Sequence, residues 1–190
     1  MTGSLFLLGG AVWGLVLYFF RDPQRDSPAQ PGLVVSPGDG KVVAIVTEAE
    51  PHTGQPNATR ISIFLSVLDV HVQRAPIGGR VVAWAHYPGQ FLQAFRPEAS
   101  EVNEHISMVI ESPYGLVLVK QIAGIMARRC VNYAQVGDEL RTGQRFGLIR
   151  FGSRVDLYLP PTAQVLTAIG DKVYGGITPL AQFPSEARHA

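Results

Sequence analysis

The chain has 190 residues, 46% of them hydrophobic and 16% charged, with a formal net charge of +1. This composition excludes a disordered polymer, and the near-neutral balance excludes the broad basic field of a nucleic-acid binder. Cys130 is the single cysteine, so an intrachain disulfide and a cysteine-rich metal centre are excluded as well.

Residues 1–20 carry no charged side chain and are rich in Leu, Phe and Val. A helix over this stretch would rise about 30 Å, the thickness of a bilayer core, and predicts a hydrophobic membrane anchor. Whether it spans the bilayer or dips into one leaflet is left open by its length. Arg21 and Arg25 follow at once, which by the positive-inside tendency puts the rest of the chain on the cytoplasmic side of the cell membrane. A secretory signal would need a basic start and a small-residue cleavage site, and neither is present. Residues 21–32 hold three prolines, a glycine and polar residues without periodicity, and read as a linker.

From residue 33 to 190 the pattern is one of short strands. Lys41–Val46 is β-branched behind an Asp39-Gly40 turn, and Ile61, Ile63 and Leu65 alternate with Ser62 and Phe64. Further strands are predicted at Val81-Val82, Ile106–Ile110, Leu116–Ile122, Phe146–Phe151, Val155–Leu159 and Val165–Ile169. A helical turn is predicted at Gln90–Phe95, where Phe91, Leu92 and Phe95 would share a face. Such spacing predicts a mainly β protein, a compact sandwich- or barrel-like domain. The turn pattern from Val136 to Gly147 also resembles lipoyl- or biotinyl-type β folds. No lysine sits where such a carrier would hold its modified one, so that likeness concerns fold alone.

Three places could carry chemistry. Gly152-Ser153 interrupts an otherwise continuous strand pattern, which reads first as a bulge or turn. A serine hydroxyl can also attack the carbonyl before it, and a glycine there leaves that carbonyl unhindered. His71, in Leu68-Asp69-Val70-His71, is a general base in waiting or a buried core histidine. Asp39, in Ser36-Pro37-Gly38-Asp39-Gly40, is turn chemistry or a carboxylate that orients a histidine. The other histidines have no metal-ligand spacing, so no metal is expected. Arg74, Arg128 and Arg129 are candidate anion contacts, with solvation as the plainer role.

In order, Phe19-Phe20-Arg21-Asp22-Pro23, Ser36-Pro37-Gly38-Asp39-Gly40, Phe64–His71, Asn103-Glu104, Gln121-Ile122-Ala123-Gly124 with Ala127-Arg128-Arg129, and Gly147–Ser153 resemble the phosphatidylserine decarboxylase family in its short, archaeal-type form. The resemblance runs from Phe19 to about Ala181. It implies self-cleavage between Gly152 and Ser153 into a β chain of residues 1–152 and an α chain of residues 153–190, held together in one fold. It further implies a covalently bound pyruvoyl group derived from Ser153, His71 as general base and acid, Asp39 orienting that histidine, and decarboxylation of phosphatidylserine at the membrane. The chain departs from larger members at Arg74, where they carry a second histidine, and at Arg154, where they carry threonine. Two other readings stay open: a membrane-tethered binding or carrier module without chemistry, and a pyruvoyl decarboxylase for another amino-acid headgroup. The substrate-binding residues and any homo-oligomer are not legible in the sequence.

Overall fold

In a computed structural model, described over residues 2–96, 98–125, 129–149 and 152–184 (backbone alone for 2–5), alternation of apolar residues decides which way each strand faces. The order of elements is α1 (Thr2–Phe19), β1 (Leu33–Val35), β2 (Gly40–Glu50), β3 (Gln55–Leu65), β4 (Val72–Arg74), β5 (Gly79–Tyr87), α2 (Ala99–Val102), β6 (His105–Ser112), β7 (Gly115–Ile122), β8 (Cys130–Asn132), β9 (Glu139–Leu140), β10 (Arg145–Ile149), β11 (Ser153–Leu159), β12 (Gln164–Val165), β13 (Lys172–Val173) and β14 (Pro179–Gln182). The predicted strand end at Arg150-Phe151 and the anion candidate Arg128 lie outside the described residues.

Among the described residues an eight-stranded sheet runs β13-β2-β3-β11-β7-β6-β5-β9, and two three-stranded sheets run β1-β14-β12 and β4-β10-β8. The predicted alternation now has a destination. Ile61, Ile63 and Leu65 of β3, Val155, Leu157 and Leu159 of β11, and Val117 and Val119 of β7 point to one face of the large sheet. There they pack with Phe146 and Ile149 of β10 and with Leu180 and Ala181 of β14, so both small sheets share that core. The large sheet's other face carries Arg60, Ser62, Lys120, Arg154, Asp156 and Tyr158. Every residue of β11 is buried, because α2 and the segment before it cover this second face as well.

Of the strand predicted at Val165–Ile169 only Val165 is in one, at the end of the two-residue β12, and the helical-turn expectation also changes. No helix forms at Gln90–Phe95; the helical turn is α2, just beyond. The Asn103 side chain takes both the N–H and the carbonyl of Leu92, at 2.9 and 2.8 Å, and the Arg154 guanidinium takes the carbonyls of Ala94 and Arg96. Those are backbone groups a helix would have paired internally. The Val136–Gly147 stretch supplies strands to two different sheets: β9 pairs with β5, whereas β10 pairs with β4 and β8.

The N-terminal helix is present, and its 18 residues rise about 27 Å, short of a hydrocarbon core of about 30 Å. Among the described residues no helix is long and apolar enough to cross a membrane. Its last residue, Phe19, is buried against the β domain. The segment after it is strapped down too. Asp22 binds Arg74 at 2.9 Å and Arg145 at 2.5 Å, and Arg25 reaches Asp39.

Candidate active site

The Ser66–Asp69 turn is closed by the Asp69 carboxylate, which accepts hydrogen bonds from the Ser66 N–H at 2.8 Å and the Ser66 hydroxyl at 2.7 Å. Lys172 from β13 pairs with the other carboxylate oxygen. Burial opposes ionisation of Asp69, but Lys172 and Ser66 outweigh it and hold the carboxyl below its usual range. This turn delivers His71 to the start of β4, where the imidazole is 1% exposed.

The protonation of His71 follows from its neighbours. Nδ1 lies 2.9 Å from the Asp69 carbonyl, which can only accept, so Nδ1 carries the proton. Nε2 keeps its lone pair and accepts the Gly152 N–H at 3.3 Å. Burial drives the imidazole pKa below its ordinary value, with the Arg21 charge adding to the effect, so the ring is neutral at physiological pH. The Phe19 ring lies against it, centroids 4.3 Å apart. Its backbone is held as well: the His71 carbonyl accepts from Gln73 Nε2 at 2.7 Å and from the Ile149 N–H at 3.2 Å, and Gln73 in turn accepts from Gln121.

Gly152 has a φ of 61°, in the left-handed region that favours glycine. Its carbonyl oxygen points at Gly124, so closely that a Cβ on Gly124 would stand 2.0 Å from it. Ser153 opens β11 opposite Leu65, and its fully buried hydroxyl has no hydrogen-bond partner among the described residues. A buried hydroxyl is ordinarily satisfied, so this one stands out as a candidate reacting group. So Gly152, Ser153 and His71, 81 residues apart in the case of His71 and Gly152, meet at one point.

Asp39 does not complete a triad by direct contact. Both His71 ring nitrogens have other partners. The Asp39 carboxylate instead grips the Arg25 guanidinium through two bonds of 2.5 and 2.8 Å and accepts the Gly175 N–H at 2.8 Å. What orients the histidine is the Asp69 backbone carbonyl. Asp39 acts on His71 only through space, as one of the charges that favour its protonation.

The two departures from larger relatives have structural partners. Arg74 is buried and binds Asp22, the Pro23 carbonyl and the Gly143 carbonyl, so it fastens the segment after α1. Arg154 forms a fork on Asp156, both bonds 2.8 Å, beside the Ser100 hydroxyl. Burial opposes ionisation of Asp156, yet Arg154 and Ser100 hold it below the usual carboxylate range. Arg129 is exposed. A cavity of about 530 Å³ lined by Arg25, Arg74, Arg141 and Arg145 lies beside the strap, and Gly152, Ser153 and His71 are not in its lining.

Arg25, Gly124 and Asp69 are the site residues whose roles sequence reasoning missed. Asp69 and Gly124 stood inside recognisable motifs, but a turn-closing carboxylate and a close backbone approach are visible only once strands far apart in sequence are brought together.

The phosphatidylserine decarboxylase family profile matches residues 13–181. The chain belongs to that family. A relative named phosphatidylserine decarboxylase proenzyme, from Ruegeria pomeroyi, is 49% identical over 180 residues, covering 93% of this chain and 81% of its own. The family match begins within α1 and ends within β14, so it includes the strap, the Ser66–Asp69 turn and the Gly152-Ser153 junction.

Proposed function

We infer that this chain is a phosphatidylserine decarboxylase proenzyme that cleaves itself between Gly152 and Ser153 and then releases carbon dioxide from the serine headgroup. The observation carrying this reading is the contact of neutral His71 with Gly152 beside the buried, unpartnered Ser153 hydroxyl.

In the cut, His71 Nε2 exchanges its long bond to the Gly152 N–H for the hydroxyl proton as Ser153 Oγ attacks the Gly152 carbonyl carbon. The C–N bond breaks, the proton passes to the departing amine, and the amide becomes an ester. Removal of the Ser153 α-proton then expels the Gly152 carboxylate, and water replaces ammonia to leave a pyruvoyl group at position 153. The residues fit this product. The orphaned hydroxyl makes no bond that the cut would sacrifice, and Gly124 leaves the room that the scissile carbonyl occupies. The group would be held at the head of β11 by the pairings of Ser153 with Leu65 and of Arg154 with Ile122. Once formed, it supplies an electron sink for the pair left when carbon dioxide departs. His71 Nε2, freed of the Gly152 N–H, holds a proton within reach of position 153. Asp39 keeps Arg25 and the strap in place.

A membrane location follows from the substrate class and from α1, whose Leu7, Trp13 and Leu17 are exposed to the surroundings. The helix would lie within one leaflet and keep the β domain at the cytoplasmic surface, since Arg21 and Arg25 follow it directly.

The test is the intact mass of the wild-type chain beside Ser153→Ala. Wild type should give fragments of roughly 16 and 4 kDa, in proportion to the 20.6 kDa whole. The smaller should be about 17 Da lighter than a serine-started peptide, because ammonia is lost. The variant should stay whole and release no carbon dioxide from phosphatidylserine. An uncut wild-type chain that is active, or a variant that is cut, would refute the assignment.

A further inference from the structure

The exposed apolar side chains near Gly152-Ser153 are not scattered. Leu68, Phe95 and Ile125 are 62%, 57% and 59% exposed, and they come from three separate loops. Each loop is tied to the cleavage junction or to the end of α1. The Leu68 carbonyl accepts Arg21 Nη2 at 2.7 Å, where α1 ends. Phe95 lies between Ala94 and Arg96, whose carbonyls are held by Arg154, the residue after Ser153. Ile125 follows Gly124, which packs on the Gly152 carbonyl. The Asn103 amide joins the last two loops by donating to the Leu92 and Ala123 carbonyls, both at 2.8 Å.

Loop tips in water are usually polar, and single exposed apolar residues need no account. Three loops that converge on one junction and each present a large apolar side chain do need one. Leu17 and Tyr18 at the end of α1 are exposed as well, and Arg21 bridges the Tyr18 and Leu68 carbonyls. The charges along this rim are mostly cationic: Arg21, Arg96 and Arg129, against Glu98. Apolar tips interleaved with arginines are the pattern of a surface that sits at the acyl–headgroup boundary of an anionic bilayer.

We propose that Leu68, Phe95 and Ile125 form a membrane-inserting rim around the cleavage junction, which together with the end of α1 seats the active-site mouth on an anionic bilayer. A diacyl substrate would then move into the site along the membrane rather than through water. This rests on the reading of the substrate as a membrane lipid, but the experiment below measures depth, not turnover, so the two fail separately.

The experiment places a polarity-sensitive fluorophore on the full chain at Leu68→Cys, Phe95→Cys, Ile125→Cys and, as a control, Thr162→Cys. Cys130 is buried and its thiol pKa is pushed up, so it does not compete for label. Thr162 is exposed beyond the far end of β11, about 20 Å along the strand from Ser153. Vesicles contain phosphatidylcholine with phosphatidylglycerol, which is anionic but carries no serine to decarboxylate. Probes at 68, 95 and 125 should shift to the blue and be quenched by acyl-chain nitroxides, while the probe at 162 stays aqueous. Each of Leu68→Ser and Phe95→Ser should weaken vesicle binding by about tenfold. Arg96→Gln with Arg129→Gln should weaken binding to anionic vesicles and leave binding to pure phosphatidylcholine unchanged. Loop probes that stay water-like on a chain bound through α1 would overturn the proposal, as would a chain that does not bind these vesicles.

Discussion

Gly124→Ala tests the proposed cleavage geometry at its tightest point. The new Cβ would stand 2.0 Å from the Gly152 oxygen and 3.1 Å from the Gly152 carbonyl carbon, both backbone atoms without a rotamer to change. Carbon and oxygen settle no closer than about 3.3 Å, so the scissile carbonyl must retreat by roughly 1.3 Å. Misplacing a reacting group by about 1 Å costs on the order of 10²-fold in rate, equivalent to about 2.7 kcal/mol. Gly152→Ala is the reference. Its Cβ would meet nothing within 4 Å, and the φ of 61° adds left-handed strain of about 1–2 kcal/mol without contesting the same space. Time courses of freshly translated chains, resolved into whole protein and the two fragments, give the rates, and thermal melts confirm folding. Gly124→Ala should be cut at least tenfold more slowly than Gly152→Ala. A Gly124→Ala chain that melts like wild type and is cut within about threefold of its rate, under 1 kcal/mol, would refute the reasoning.

Three further outcomes are expected. Asp39→Ala leaves the Arg25 guanidinium without its carboxylate in a pair only 7% and 5% exposed, and should lower stability by about 3–5 kcal/mol in denaturant titrations, with Arg25→Ala in the same chain restoring part of it. Because burial lowers the His71 pKa, the folded state binds fewer protons than the unfolded chain below pH 6.5; stability should therefore fall as pH drops, while the acid midpoint of the cleavage rate should lie below 6.5 and move up toward it in Phe19→Ala, read from rate–pH profiles. Arg154→Leu leaves the fully buried Asp156 carboxylate with only the Ser100 hydroxyl and Arg60 at 3.6 Å, and urea midpoints should show a loss of about 3 kcal/mol, which Asp156→Asn in the same chain partly relieves.

The long strands were legible because Ile61, Ile63 and Leu65 state a period of two and bury it. β9, β12 and β13, of two residues each, have no room for a period and exist because neighbours pair with them. Phe91, Leu92 and Phe95 imitate a helix face, but Asn103 and Arg154 compete for the backbone groups, and those competitors are set by tertiary contacts alone. At the site, Gly152, Ser153 and His71 could be picked out by residue type and motif. The partner of Asp39 could not, because Arg25 lies in a proline-rich stretch with no pattern, and only the fold turns that stretch into a strap. Phe19 is the sharpest case: an aromatic at the end of an apolar run reads the same whether it faces lipid or an imidazole.

β11 has a consequence for the protein's later life. It lies between β3 and β7, paired with β3 from Ser153 to Leu159, while β13 pairs with β2 and β14 with β1. With the proposed cut before Ser153, an inner strand of the eight-stranded sheet would belong to a separate polypeptide. Heat that pulls the two pieces apart would bare the edges of β3 and β7, which are templates for aggregation. Reassembly would then require a bimolecular encounter, and the melting temperature would rise with protein concentration. Durability after maturation is accordingly a matter of how slowly the short piece escapes, a kinetic barrier in place of a reversible equilibrium.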